Sequence, residues 1–404
     1  MSSAVGTATI EGKLDSAQMR VAWLLPSMRG GYYWQPVLRE FTKRFPQTVV
    51  FTGDWTGYLP GYDEAFMVKV IAGYRHIDLK RGIASPDFGY RGFHWLTPTI
   101  LLELRRFQPD ILFTSVFSLW TAYAIVYKLF TRSRVIVLLD GISNTTEYRN
   151  SPIRLTTRRI MAKLVDASIC NSQAGCNYLR DLLKIDRSRI EHSTFYVPDR
   201  TVLRSGTSGL DKARKQQHPV FLFIGQLIRR KGWNLLLEAA DLVTKKLPYK
   251  FTVNIVGDGP DKAMLRDKVV SLNLREIVNV IGRVPYNCLG TYFETADVFV
   301  LPSLEDTWGM VVSEAMAFQK PILCSQSAGA SELVENGVNG YTFDPRSPVE
   351  LAGYMELFLR EPSLIAKMGA CSKRAIANHT PQIAADNLER LAMKLVDQQA
   401  AASC

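Results

Sequence analysis

Residues 220–246 read VFLFIGQLIRRKGWNLLLEAADLVTKK. An apolar run ends at Gly225, a basic turn follows, and from Trp233 the apolar positions return at helical spacing. A continuous apolar run has no face suited to water, so it predicts a strand buried on both sides with a helix packed over it. The same grammar continues through FTVNIVG (251–257), IVNVIG (277–282), ADVFVLPS (296–303) and PILCSQ (321–326). Between the first two of these lies DKAMLRDKVVSLN (261–273), a helix-like stretch. Strands alternating with helices predict βαβ units, and hence a doubly wound α/β domain over residues 219–380.

Working outward, the first half shows the pattern less cleanly, in MRVAWLLP (19–26), QTVVFTG (47–53), PDILFTS (109–115), SRVIVLLD (133–140) and VDASICNS (165–172). Residues 1–200 are therefore expected to form a second domain of the same class. The stretch 201–218 is polar, without period, and reads as a linker. The tail 381–404 carries an amphipathic helix pattern free to pack back on the first domain. Residues 111–127 hold no charge over 17 positions, but four Ser and Thr interrupt them, and a buried strand followed by a packed helix needs no lipid.

Composition narrows the class. The chain has 404 residues, 47% hydrophobic and 22% charged, which excludes disorder, collagen and coiled coil and leaves room for two or three domains. The first twenty residues lack the apolar core of a secretory signal. Six cysteines stand at 170, 176, 288, 324, 371 and 404 with no CxxC pair, which points to a reducing compartment. Charge is uneven: residues 1–200 hold 26 Lys and Arg against 17 Asp and Glu, and residues 201–404 hold 23 against 21. A basic first half attracts anionic partners. No nucleic-acid signature accompanies it; Tyr32, Tyr33 and Trp34 beside Arg29 are isolated.

Four features of the second half carry chemistry. After the strand ending at Gly225 come Gln226 and the cations Arg229, Arg230 and Lys231, a turn suited to phosphate. The second is Gly257-Asp258-Gly259-Pro260, again between strand and helix. The third, LPSLEDTWGMVVSEAMA (301–317), is the most informative. Asp306 falls in the approach loop and Glu314, eight residues on, in the second turn of a helix starting near Gly309. Both are expected at the carboxyl edge of the sheet, where open α/β sheets bind ligands, with the N–H groups of Gly309 and Met310 facing an anion. The fourth is Ser327-Ala328-Gly329-Ala330-Ser331-Glu332, where Glu332 reads as a carboxylate complementing its own helix dipole.

In this order the features resemble the retaining GT-B glycosyltransferases of the large group often called family 4, over roughly Pro219 to Asp344. The resemblance implies an α/β GT-B fold, two Rossmann-like doubly wound domains facing each other across a cleft. It implies a hexosyltransferase that moves a sugar from a nucleotide-sugar donor, UDP- or GDP-linked, with retention of configuration and without metal or other cofactor. The family's paired acids stand here as Asp306, on the donor sugar, and Glu314, on the ribose. The diphosphate falls to Gln226 and Lys231, with Arg229 or Arg230 supporting a Gln where Arg is usual. Gly257, Gly259, Arg283, Val284 and Trp308 line the nucleotide side, and Gly30 and Gly31 the cleft near diphosphate and acceptor. The usual first-domain His is missing: VIVLL runs into Asp140, which takes its place among the candidate catalytic residues, with Tyr148 and Arg149 toward the acceptor. None of His76, His94, His192, His218 and His379 is an obvious substitute.

The resemblance further implies a glycan or lipid-linked acceptor at the cytoplasmic membrane face. RLTTRRIMAK (154–163) sets Arg154, Arg158 and, more loosely, Arg159 on one helical side, as a surface-binding helix does. Two other readings keep the fold: a nucleotide-sugar epimerase, which the lack of a His near the motifs disfavours, and a scaffold protein with a weakened site, which Gln226 and Asp306 allow.

Overall fold

The computed structural model describes residues 16–28, 33–77, 93–143, 146–147, 149, 151–195, 197–206, 218–246 and 248–403. The first half contributes β1 (Arg20–Leu25), β2 (Gln47–Thr52), β3 (Met67–Val70), β4 (Arg75–Ile77), β5 (Phe93–Trp95), β6 (Ile111–Ser115), β7 (Arg134–Leu139), β8 (Ala167–Cys170) and β9 (Ile190–His192). Seven of these form one sheet in the order β3-β2-β1-β6-β7-β8-β9, every pair parallel. β4 and β5 pair separately and antiparallel. The second half supplies β10 (Val220–Ile224), β11 (Thr252–Val256), β12 (Val278–Gly282), β13 (Val298–Leu301), β14 (Ile322–Ser325) and β15 (Gly340–Phe343). They form a parallel sheet in the order β12-β11-β10-β13-β14-β15.

Both sheets reverse direction of growth beside their first strand, between β1 and β6 and between β10 and β13. Loops leaving the carboxyl ends of such neighbouring strands splay to opposite faces and leave a crevice between them. The inner strands β1, β6, β7 and β13 are buried along nearly their whole length, as their continuous apolar runs require. Trp23 on β1 stacks on Phe113 of β6 at 4.7 Å and meets Trp34 edge-on at 5.6 Å. The uncharged stretch 111–127 is β6 followed by the helix Leu119–Leu129. No helix among the described residues is long and apolar enough to cross a membrane.

The C-terminal helix Pro381–Ser403 lies on Trp34–Arg44 of the first half, burying Ala384, Ala385, Leu388 and Ala392. Arg44 joins Glu389 at 3.1 Å and Arg390 joins Glu191 at 2.6 Å. One apolar cluster runs from Trp23 and Phe113 through Phe195 and Leu203 to Phe293 and Trp308, so the two halves share a core. The stretch read as a linker from residue 201 begins instead as a helical turn, Arg200–Leu203, because Asp199 caps it and Val202 and Leu203 are buried. Its centre, residues 207–217, lies outside the described residues. The cysteines read as thiols of a reducing compartment also differ: Cys170 at the end of β8 is bonded to Cys176, their Cα atoms 5.6 Å apart.

Candidate functional site

The loops after β10 and β13, at the reversal point of the second sheet, build the site. Arg230 is buried, donates from Nη1 to the carbonyl of Glu305 at 2.8 Å, and accepts through its own carbonyl from the N–H of Leu304. It therefore braces the two loops against each other. Lys231, half-buried, places Nζ 2.5 Å from Oδ2 of Asp306. Sequence reasoning assigned this lysine to a diphosphate and this carboxylate to a sugar; the structure pairs them directly. Ser303 Oγ lies 3.5 Å from the same oxygen, and Arg230 lies 3.9 Å from Oδ1. Asp306 is thus buried yet compensated. Burial, and then the nearby Asp306 charge, push the Cys324 thiol up.

The backbone of this loop is fixed from both sides. Asp306 N–H donates to Ser327, and Gly329 N–H donates back to Asp306. The helix Met310–Ala317 then begins at Gly309, whose φ of 98° is left-handed and open to glycine at little cost. The first N–H groups of that helix have no partner within it, and they start three to four residues from Asp306. One turn further in, Glu314 is buried and accepts a hydrogen bond from the Tyr286 hydroxyl at 2.9 Å. Burial raises its carboxyl from the ordinary 4.5 to about 7, with the Tyr286 bond opposing. The Tyr286 hydroxyl is in turn pushed well up by burial and then by Glu314.

Across the cleft, β7 delivers Asp140, half-buried, and Gly141. A Cβ on Gly141 would sit 2.0 Å from the carbonyl oxygen of Thr307, so the two halves touch backbone to backbone beside Asp306. Glu332 does not complement its own helix dipole. Its carboxylate accepts from the N–H groups of Gln173 and Ala174, at 2.8 and 3.0 Å, at the start of the helix Gln173–Asn177 in the other half. Between these contacts opens a cleft of about 610 Å³, lined by Ser143 and Glu147 on one side and Glu305, Ser327 and Arg346 on the other.

The remaining candidates divide. Gly225 and Gly257 sit in adjoining turns, bonded where Gly225 N–H meets Val256 and Leu227 N–H meets Asp258; Gly259 belongs to the same pair of turns. Gln226 and Arg229 are exposed at the same edge. Arg283 is exposed beyond β12, and Val284 packs on the shared core. Trp308 is buried there as well, and Met310 is half-buried. Arg149 pairs with Glu147 at the cleft rim. Gly30, Gly31 and Tyr148 lie outside the described residues. Among the described residues no group of three or more His, Cys, Asp and Glu gathers as a metal site. Sequence reading missed Tyr286, Gly141 and the reach of Glu332. The Asp140-Gly141 step at a strand end was a signal for the second; the other two are contacts between distant segments.

Residues 211–375 match the family model described as Glycosyl transferases group 1. An uncharacterized glycosyltransferase of Haemophilus influenzae is 30% identical over 164 residues, 40% of this chain and 46% of that protein. The alpha-monoglucosyldiacylglycerol synthase of Acholeplasma laidlawii is 26% identical over 179 residues, 44% of each. These matches thus span about half of the curated relatives' length or less. Over nearly the whole chain, the structure of Anabaena Alr3699/HepE in complex with UDP superposes with a TM-score of 0.73 at 18% identity, covering 92% of this chain and 99% of that one. With paired parallel sheets, reversal points facing one cleft and the acidic loop at its edge, the chain has the GT-B fold, and its second half is similar to the glycosyl transferases of group 1.

Proposed function

We propose that the protein transfers a hexosyl group from a nucleoside diphosphate sugar, UDP- or GDP-linked, to a glycan or lipid-linked acceptor at the cytoplasmic face of a membrane, with retention of anomeric configuration. The observation that carries the reading is the Lys231–Asp306 pair, set beneath the helix start at Gly309 and opposite Asp140-Gly141. Breaking the bond from anomeric carbon to phosphate oxygen sends its electron pair to the diphosphate and leaves positive charge on the sugar ring. Lys231 holds the growing negative charge, aided by Arg229 and the free N–H groups after Gly309, at about 3–4 kcal/mol per well-placed donor. Asp306, relieved of part of its pairing as the lysine turns to phosphate, faces the sugar. Glu314 meets the ribose hydroxyls, and Gln226, Gly225, Gly257, Gly259, Arg283 and Val284 border the nucleotide. Asp140 faces sugar and acceptor from the other half.

Support for the donor class comes from the UDP complex of the structural neighbour, and for a lipid acceptor from the named product of the Acholeplasma relative. The test is a panel of nucleotide sugars read by thermal shift and by release of nucleotide, run beside Glu314→Ala and Lys231→Ala. Stabilisation by one donor, with slow hydrolysis that both substitutions abolish, is the expected result. Silence toward every donor and every free nucleoside diphosphate overturns the reading.

A further inference from the structure

Tyr286 opens the turn Tyr286–Cys288, and the crossover between the two halves holds it there. Asp199 caps the helical turn Arg200–Leu203, accepting from the N–H of Thr201 at 2.8 Å, and the Tyr62 hydroxyl of the first half donates to the same carboxylate. The Arg39 guanidinium lies 5.1 Å from the Tyr62 ring. The crossover is then fixed along the second half. Gly206 N–H donates to the Asn287 carbonyl at 2.9 Å, and Arg204 meets Glu294 at 2.9 Å. A Cβ on Gly290 would sit 2.6 Å from the Leu203 carbonyl oxygen, so the two backbones touch. Tyr286 packs against the cluster of Leu59, Tyr62 and Val202 and against the shared core.

From this seat its hydroxyl reaches Oε1 of Glu314 at 2.9 Å. A phenol has one proton to donate. Burial, then Glu314, and then Asp199 and Tyr62 hold that proton on Tyr286, so the hydroxyl is a donor throughout the neutral range. The bond sets the plane of the carboxyl group and leaves Oε2 to the ribose. An ionised carboxylate accepts on both oxygens, whereas a protonated one turns an oxygen into a donor. Accepting from Tyr286 and from a ribose hydroxyl together therefore calls for the ionised form. Burial opposes that form, and the Tyr286 bond favours it. On the elements packed around the helix Met310–Ala317, the described titratable groups act elsewhere. Cys324 on β14 feels Asp306, Glu332 reaches the other half, and Lys367, Lys373 and Arg374 of the helix Ser363–Ala375 are exposed.

We infer that Tyr286 is a positioning residue: wedged between the crossover and the helix Met310–Ala317, it holds Oε1 of Glu314 and thereby turns the other oxygen to the ribose of the donor. This deepens the transferase reading, on which the ribose contact rests. The test is calorimetric titration of the full chain with UDP, GDP and their deoxyribose counterparts, from about pH 6 to about pH 9. Wild type, Tyr286→Phe, Glu314→Gln and the double variant are compared. Titration of the terminal phosphate is common to each ribose and deoxyribose pair, so it cancels in their affinity ratio. With whichever base binds, the wild type is expected to prefer the ribonucleotide by about ten-fold, and the preference should grow as pH rises through about 7. Tyr286→Phe should lose most of that preference at about pH 7 and regain it only at higher pH, with affinity for the deoxy form kept within about two-fold. The double variant should match Glu314→Gln within about two-fold, since Tyr286 acts through the carboxylate. An equal loss of affinity for both sugars would make Tyr286 a packing residue and overturn the inference. So would a Tyr286→Phe preference that follows the wild-type pH profile, or additive effects in the double variant. A wild type that binds nucleotide without regard to the missing hydroxyl also overturns it, and leaves the transferase reading standing. A wild type that binds neither UDP nor GDP removes that reading and this inference with it.

Discussion

Glu314 makes a prediction at the scale of one residue. Its carboxyl ionises near 7 in the folded protein and near 4.5 when exposed. Between these values the folded chain keeps a proton that the unfolded chain has released, so stability falls as pH rises through the window and levels off above it. The loss attached to this group is about 3 kcal/mol. Glu314→Gln keeps an oxygen for the Tyr286 hydroxyl and removes the titration, so it should be the more stable protein at about pH 8 and nearly equal at about pH 5. Urea midpoints of both proteins at the two pH values decide it; parallel profiles would show that the buried carboxyl is not the source. Lys231 and Asp306 give a second case. Lys231→Ala leaves a buried carboxylate without its closest partner, and should cost roughly 3 kcal/mol of stability along with 10²–10³ in kcat. Adding Asp306→Asn should recover most of the stability and none of the activity. If the double substitution recovers activity, the pair is structural alone.

At the scale of elements, what was legible follows from burial on two faces. The runs from VFLFIG to PILCSQ and from MRVAWLLP to SRVIVLLD lie in inner strands, where an unbroken apolar run is the physical requirement, save IVNVIG, which forms the partly covered edge strand β12; each appears within a residue or two of its expected place. The strands left unread are β4 and β5, three residues each and paired only with one another, and β3, β9 and β15, at the edges of the two large sheets, where short, partly exposed segments carry Lys, Glu or Gly and no such run. Among site residues, those carried by a local motif, such as Asp306, Gly309 and Glu314, fall at one sheet edge, because strand, loop and helix start are consecutive in sequence. Arg230 shows the limit: three cations in a row look alike in sequence, and only the position of the Glu305 carbonyl distinguishes the brace from its neighbours. Arg230→Ala should therefore act through the loop. It should destabilise the fold by about 1–3 kcal/mol, from the unpaired carbonyl, and lower kcat/KM. Arg229→Ala, at an exposed position, should leave stability within about 0.5 kcal/mol and weaken donor binding alone. Thermal midpoints beside donor titrations separate the two; an equally destabilised Arg229→Ala would contradict the assignment.

For the whole molecule the question is what holds the cleft closed. Contacts that cross it beside the site, among the described residues, include Gly141 against the Thr307 carbonyl and, second, the Glu332 carboxylate on the two N–H groups that open the helix Gln173–Asn177. The second is a charge set at a helix N-terminus, worth about 0.3–1 kcal/mol at an exposed position and more where water is excluded. Neither half gains anything from it alone, so its contribution belongs to the closed arrangement and shifts the balance between open and closed by that amount. Glu332→Gln keeps the shape and removes the charge. It should leave the unfolding midpoint nearly unchanged, increase the radius of gyration in small-angle scattering, and raise the donor KM about two- to five-fold through the smaller closed population. Gly141→Val should act on the same equilibrium more severely, since its side chain must displace the Thr307 carbonyl before the halves can meet. If both variants scatter like the wild type and bind donor equally well, the halves are held by the shared apolar core through Phe195 and Leu203, and the polar contacts only follow.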